Sequence, residues 1–245
     1  VMTFNPKLTE LNVSREMTIY QTQLGPYANL NHLILCNETN SAAIVDPFDG
    51  DYWIQVIEEL KFDLKMILLT HTHSDHVKGL TTMLSQYSGI NVWVHADEEK
   101  RGWKGPDTNR WKHQANTIEK LKLGSLELQI HCTPGHSPGH ISIVGHGSII
   151  AGDLLFSGRC GRTDLYGGDK LSMYKSLMYF RRQMLELPDN WIVFPGHQYP
   201  LDDGTNPMHL SIGNLLKVNS AIAYQEYNEF CKLEYLEFED SLSTN

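Results

Sequence analysis

Hydrophobic and polar positions change period several times along the 245-residue chain. Residues 17–24 and 30–36 alternate or run apolar, and 42–46 follow the polar stretch 37–41, which predicts consecutive strands and a β-rich opening. Residues 51–60 then place Ile54, Ile57 and Leu60 at helical spacing, and 65–70 form a compact apolar run of the kind found in a buried strand. Beyond it, 77–87 reads as a helix, 90–95 as a strand, and 97–116 as a polar, tryptophan-containing excursion with no regular element. Residues 121–132 suit a hairpin turning at Gly124-Ser125, and 141–144 and 148–151 are two short strands. A helix is predicted over 171–187, a last strand over 191–194, and a mostly helical tail over 206–238. Strands mixed with helices throughout, without repeats or linkers, point to a layered α/β or α+β domain carrying a short helical extension.

Composition narrows the class. Apolar residues make up 41% and charged residues 20% of the chain, as in an ordinary globular protein. The longest apolar runs are strand length, far short of the ~20 residues a membrane span needs, so no membrane association is expected. The net charge of −9 is offset by no basic stripe beyond the short cluster in 100–112, which disfavours nucleic acid as a partner. Cys36, Cys132, Cys160 and Cys231 lie far apart without a Cys-x-x-Cys pair, against both a disulfide framework and a thiolate zinc knuckle. Residues 1–10 show no basic region leading into an apolar stretch, and a cytoplasmic home is expected. The oligomeric state is not readable from this pattern.

The decisive segment is Thr70-His71-Thr72-His73-Ser74-Asp75-His76, directly after the apolar run 65–70. Residues two apart on an extended chain share a face and the following turn redirects the rest, so three imidazoles and a carboxylate can converge. Imidazole suits transition metals, and such a cluster has few other uses. His136 in Thr133-Pro134-Gly135-His136, Asp153 in Ala151-Gly152-Asp153, and His197 in Pro195-Gly196-His197 recur at the ends of predicted strands, as does Asp46 in Val45-Asp46-Pro47. Strand ends are rigid platforms of the kind metal geometry requires. Asp46 also fits a plain turn or capping role. Cys132 and Cys160 show no patterned base nearby, so catalysis by a side-chain nucleophile has little support.

This ordered series resembles the complete ligand set of the metallo-β-lactamase superfamily, over roughly residues 17–200. The resemblance implies a four-layer αββα sandwich over 1–205, with 206–245 as a helical extension packed on it, and a site at the open edge of the strands. It implies one metal on His71, His73 and His136, a second on Asp75, His76 and His197, and Asp153 bridging, with Asp46 supporting the loop. Two divalent ions, zinc or iron with manganese as a further candidate, would activate a water as hydroxide and polarise a carbonyl. Asp75 and Asp153 thereby become the catalytic carboxylates.

Within the superfamily, Gly158-Arg159-Cys160-Gly161-Arg162-Thr163-Asp164 and Pro195-Gly196-His197-Gln198-Tyr199 resemble glyoxalase II, the hydroxyacylglutathione hydrolases. That resemblance implies a small thioester substrate, a glutathione conjugate, contacted by Arg162 and Tyr199; a structural ion pair and a core aromatic are the other readings of these two residues. The sequence departs from glyoxalase II at Asp164, where a tyrosine is expected, and in a tail from Asn206 whose only basic residues are Lys217 and Lys232. Gly161-Arg162-Thr163-Asp164 is also similar to the persulfide dioxygenases, which implies one Fe2+ on His73, His136 and Asp153 and oxidation of glutathione persulfide.

Overall fold

The computed structural model describes residues 4–237. Seven strands form one sheet in chain order: β1 (Thr9–Asn12), β2 (Met17–Leu24), β3 (Asn29–Cys36), β4 (Ser41–Val45), β5 (Asp63–Leu68), β6 (Asn91–His95) and β7 (Asn109–Trp111). β1 to β4 pair antiparallel, and β4 to β7 parallel. The second sheet holds β8 (Ile118–Leu123), β9 (Leu126–Cys132), β10 (Ile141–Gly145), β11 (Ser148–Gly152), β12 (Ile192–Pro195) and β13 (Leu210–Ser211). Its pairs are antiparallel apart from the parallel β11 and β12.

Successive side chains leave a strand on opposite faces, so a strand covered on both sides is buried along its whole length. β3 and β4 are buried at every position. Ile19, Ile34, Val45 and Leu68 of the first sheet meet Leu128, Ile130, Ile143, Ile150 and Phe194 of the second in a shared core. The other face of the first sheet lies under α1 (Gly50–Leu60), followed by the single turn α2 (Ser74–Val77) and α3 (Leu80–Gln86), with Trp53, Val56, Leu80 and Met83 packed on Leu33, Ile44 and Ile67. The outer face of the second carries α4 (Lys170–Leu185), α5 (Ile212–Val218) and α6 (Tyr227–Phe230), where Met173, Leu177, Phe180, Ile212, Leu215 and Phe230 cover Val144, Ile149 and Val193. The result is the expected αββα sandwich. No described helix is long and apolar enough to cross a membrane.

Local chemistry explains the departures from the predicted pattern. α1 begins where Asp49 accepts the Tyr52 amide and ends at a left-handed Lys61, but its buried face centres on Trp53, Val56 and Ile57, with Ile54 and Leu60 at the margin. The helix predicted over 77–87 is interrupted at Gly79, whose amide bonds Pro47 O at 2.8 Å; a Cβ there would lie 2.5 Å from the Gly50 amide nitrogen. The excursion 97–116 is more regular than expected: it holds a 3-10 turn, Ala96–Arg101, and β7, whose Trp111 stacks on Trp93.

The tail is less helical than its sequence suggests, and positions 238–245 lie outside the described residues. β13 extends the second sheet, and α5 stops at Asn219. There the Asn219 side chain donates to Phe156 O at 2.8 Å and Arg159 O at 3.0 Å while accepting from the Ala221 amide, which trades helical bonds for an anchor on the 156–159 loop.

Candidate metal centre

β4, β5, β9, β11 and β12 all run toward one edge of the sandwich, so the residues that follow them gather there: Asp46, the 70–76 segment, His136, Asp153 and His197. The two sheets are tied at this edge by Ile141 N to Thr70 O, 2.8 Å, and Leu30 N to Gly196 O, 2.8 Å. All seven predicted ligand residues are brought together. His71, His73 and His136 offer donor atoms within 4.8 Å of one another, as do Asp75, His76 and His197. Asp153 lies between these groups, its Oδ2 at 3.3 Å from His136 Nε2, 3.3 Å from His197 Nε2 and 4.0 Å from His71 Nε2.

The imidazoles are oriented by what their other nitrogen touches. Nδ1 of His76 lies 2.9 Å from Asp46 Oδ2, that of His136 2.7 Å from Arg162 O, and that of His197 2.8 Å from Tyr27 O. His71 Nδ1 lies 3.0 Å from Thr70 Oγ1, which itself donates to Asp46 Oδ2. Each acceptor fixes the proton on Nδ1 and turns the Nε2 lone pair inward, the tautomer a metal ligand needs. The Nε2 atoms of His71, His73 and His136, and Oδ1 of Asp153, are buried with no hydrogen-bond partner in the structure. Four converging, buried, unsatisfied acceptors are costly unless a cation satisfies them.

Separations in the second group fit the same role. His76 Nε2 to His197 Nε2 is 3.1 Å, His197 Nε2 to Asp75 Oδ2 3.4 Å, and His76 Nε2 to Asp75 Oδ2 3.6 Å. Ligands at ~2.0–2.1 Å from a tetrahedral ion stand about 3.3 Å apart, so these spacings suit one ion. A mixed imidazole and carboxylate set is a divalent-metal set, and the residues present fit one.

Burial holds His71, His73 and His136 below the usual imidazole value. For His76 and His197 burial acts in the same direction, but Asp153, joined by Asp46 at His76, outweighs it and raises both. Asp153 is held well below the carboxylate range because His197 and His76 overcome its burial.

Asn29, which the sequence did not single out, joins several further residues in supporting the centre. Asn29 Nδ2 donates to Asp75 Oδ2 at 2.8 Å. His140, just before β10, accepts the Asp153 amide on Nε2 at 3.0 Å and reaches Thr133 Oγ1 with Nδ1 at 2.9 Å; burial lowers it to about 3, so it stays neutral. Asp46 accepts from Thr70 N at 2.7 Å as well as from His76, so it spans a backbone amide and a ligand. Arg162 forms a two-pronged pair with Asp164. Tyr199 packs on Phe156 at 5.0 Å and lies 6.4 Å from the His197 ring, with the Arg159 guanidinium over its face. Burial raises the Tyr199 phenol above its ordinary value.

Comparison with known proteins agrees with this geometry. The chain is 35% identical over 187 residues to hydroxyacylglutathione hydrolase GloC of Haemophilus influenzae, covering 68% of this chain and 84% of that protein. It is 31% identical over 185 residues to hydroxyacylglutathione hydrolase of Aeromonas hydrophila, covering 76% of this chain and 68% of that one. Among solved structures, ETHE1 from Myxococcus xanthus superposes with a TM-score of 0.68 at 27% identity, covering 86% of this chain and 87% of that one. TTHA1623, solved in a di-iron-bound form, gives 0.61 at 26% identity with 82% and 98% covered. The family model described as the metallo-beta-lactamase superfamily matches residues 30–197, which include all seven candidate ligand residues, and the chain belongs to that superfamily.

Proposed function

We propose that the protein is a metal-dependent thioester hydrolase acting on a hydroxyacylglutathione. The observation that carries this is the inward Nε2 of four histidines, each set by an acceptor on its Nδ1, beside the buried Asp153 carboxylate. Relatives named hydroxyacylglutathione hydrolase, at 31 to 35% identity, support the substrate. In this assignment His71, His73 and His136 hold one ion, Asp75, His76 and His197 a second, and Asp153 serves both. Zinc, iron or manganese bound there supplies a water whose pKa falls from about 15.7 to about 7 and a polarised acyl carbonyl.

The chain's own residues do the rest. Asp46 and His140 fix ligand orientation, and Asn29 holds Asp75. We assign Tyr199 as an apolar wall for the thiol carrier and Arg162 with Asp164 as a pair of opposite charges that complements the zwitterionic end of glutathione. A cytoplasmic setting, and a division into a catalytic unit of 1–205 with 206–245 appended, are part of the same proposal. Loss of thioester absorbance from lactoylglutathione by zinc-, iron- and manganese-loaded protein tests it; inactivity with all three defeats it.

One observation favours a second reading. His73, His136 and Asp153 form a two-histidine, one-carboxylate set next to Gly161-Arg162-Thr163-Asp164, which suits a single Fe2+ and oxidation of glutathione persulfide. Oxygen uptake by an iron-loaded sample supports that chemistry, and no uptake with glutathione persulfide removes it.

A further inference from the structure

The 3-10 turn Ala96–Arg101 runs alongside the metal centre and carries Glu98, a carboxylate 0% exposed. A carboxylate withdrawn from water needs donors on both oxygens. Oε2 accepts from Thr72 N at 2.8 Å and Thr72 Oγ1 at 2.6 Å, and Oε1 accepts from Ser137 Oγ at 2.6 Å and Gly139 N at 2.8 Å. Thr72 lies between His71 and His73, Ser137 directly follows His136, and Gly139 precedes His140. One side chain thus joins the ligand loop of the first sheet to that of the second. Arg101, from the same turn, donates to Thr72 O at 2.6 Å and Thr72 Oγ1 at 3.0 Å. The backbones approach so closely that a Cβ at Gly139 would lie 2.7 Å from the Glu98 amide nitrogen.

We propose that Glu98 is a positioning residue for the metal centre, a buried clasp that sets the separation of His71 and His73 from His136 and so the affinity of the site they form. This rests on the reading that those three imidazoles hold an ion. The donor pattern makes the claim sharp. Each carboxylate oxygen receives one backbone N–H, from Thr72 on one side and Gly139 on the other, and a backbone donor cannot rotate away as a hydroxyl can. Glu98→Gln keeps the volume, yet in either orientation its NH2 faces one of those N–H groups. A space-filling role predicts a benign Glu98→Gln; a clasp predicts a damaging one.

Metal affinity, measured by competition of zinc and cobalt against a chromophoric chelator, separates a positioning effect from general destabilisation. Leu177→Ala, in the outer layer of the second sheet, serves as a control that loses stability without touching either loop. Glu98→Gln is expected to weaken one of the bound ions by about 10–100-fold, the range found when a group supporting a ligand is removed, while Leu177→Ala retains wild-type affinity. Thr72→Val and Ser137→Ala each delete one hydroxyl donor and serve if Glu98→Gln does not fold; each is expected to weaken the same ion, with a non-additive double variant. Wild-type affinity in Glu98→Gln, or in both hydroxyl variants, overturns the clasp, as does an equal loss in Leu177→Ala. A wild-type protein that takes up no metal instead overturns the reading on which the clasp rests.

Discussion

Asp46→Asn isolates one carboxylate oxygen with little disturbance elsewhere. Asp46 has φ +48°, a left-handed conformation that asparagine adopts about as readily as aspartate, so the backbone is not at issue as it would be with alanine. The carboxylate accepts three hydrogen bonds: Oδ1 from Thr70 N, and Oδ2 from Thr70 Oγ1 and His76 Nδ1. An amide that keeps its oxygen toward Thr70 N turns its NH2 toward His76. Two outcomes are open to the imidazole. Its Nδ1–H meets another donor, at a cost of about 1–3 kcal/mol for a buried unsatisfied group. Alternatively the ring changes tautomer, accepts at Nδ1, and places its proton on Nε2, which removes the lone pair aimed at Asp75 and His197. Both outcomes strike the second ion, which is expected to bind about 10–100-fold more weakly, or by ~1.4–2.8 kcal/mol. Elemental analysis after dialysis against a graded chelator series measures this, with wild-type and variant side by side. Stoichiometry falling toward one ion per chain is the expected result. A variant holding as much metal as wild-type at every chelator level refutes the tautomer argument.

Two further outcomes follow from close contacts and buried bases. A Cβ on Gly196 would lie 2.2 Å from Asp153 Oδ1, so Gly196→Ala must displace the carboxylate; about 1–3 kcal/mol of overpacking and a reduced metal content are expected from thermal unfolding and elemental analysis, and full metal content would contradict the placement. Burial lowers His131 to about 4 and His32 to about 3. Both folded values lie below the unfolded one near 6.5, so the unfolded chain binds protons the folded chain refuses, and stability drops as pH falls from 6.5 toward these values. His131 alone accounts for roughly 3 kcal/mol over that window. Urea unfolding in steps from pH 6.5 to about 5 is expected to show a slope shallower by about 1 kcal/mol per pH unit in His131→Gln, and parallel lines for the two proteins would count against it.

What the sequence made legible is whatever a side chain announces by its own type. The alternation in 17–24 and 30–36 and the run before Thr70 are imposed by burial, and β2, β3 and β5 follow them closely. The seven candidate ligand residues, which the fold brings to one edge, were readable because each carries a coordinating atom and stands just past an apolar strand. Their supports were not. Tyr27 and Arg162 hold His197 and His136 through backbone carbonyls, which every residue possesses and no pattern marks. Glu98 looks like one charge among several in Asp97-Glu98-Glu99, and only the three-dimensional path of the 96–101 turn distinguishes it as buried while Glu99 faces solvent. The tail misled for a related reason: its apolar residues suit a helix, but Asn219 finds partners in a loop about sixty residues away that no local window contains.

The candidate ligands are shared between the two sheets, with positions 71 to 76 on one side of the seam and 136, 153 and 197 on the other. On the proposed assignment, an ion held by His71, His73 and His136 is a rivet between halves that otherwise adhere through their common apolar layer. Mass action then couples the fold to its surroundings: at a free ion concentration of 100 times its dissociation constant, the rivet adds about 2.7 kcal/mol. Under that assignment, resistance to denaturation is partly a property of the buffer, and a melting temperature for this protein is to be read alongside the free metal concentration at which it was recorded.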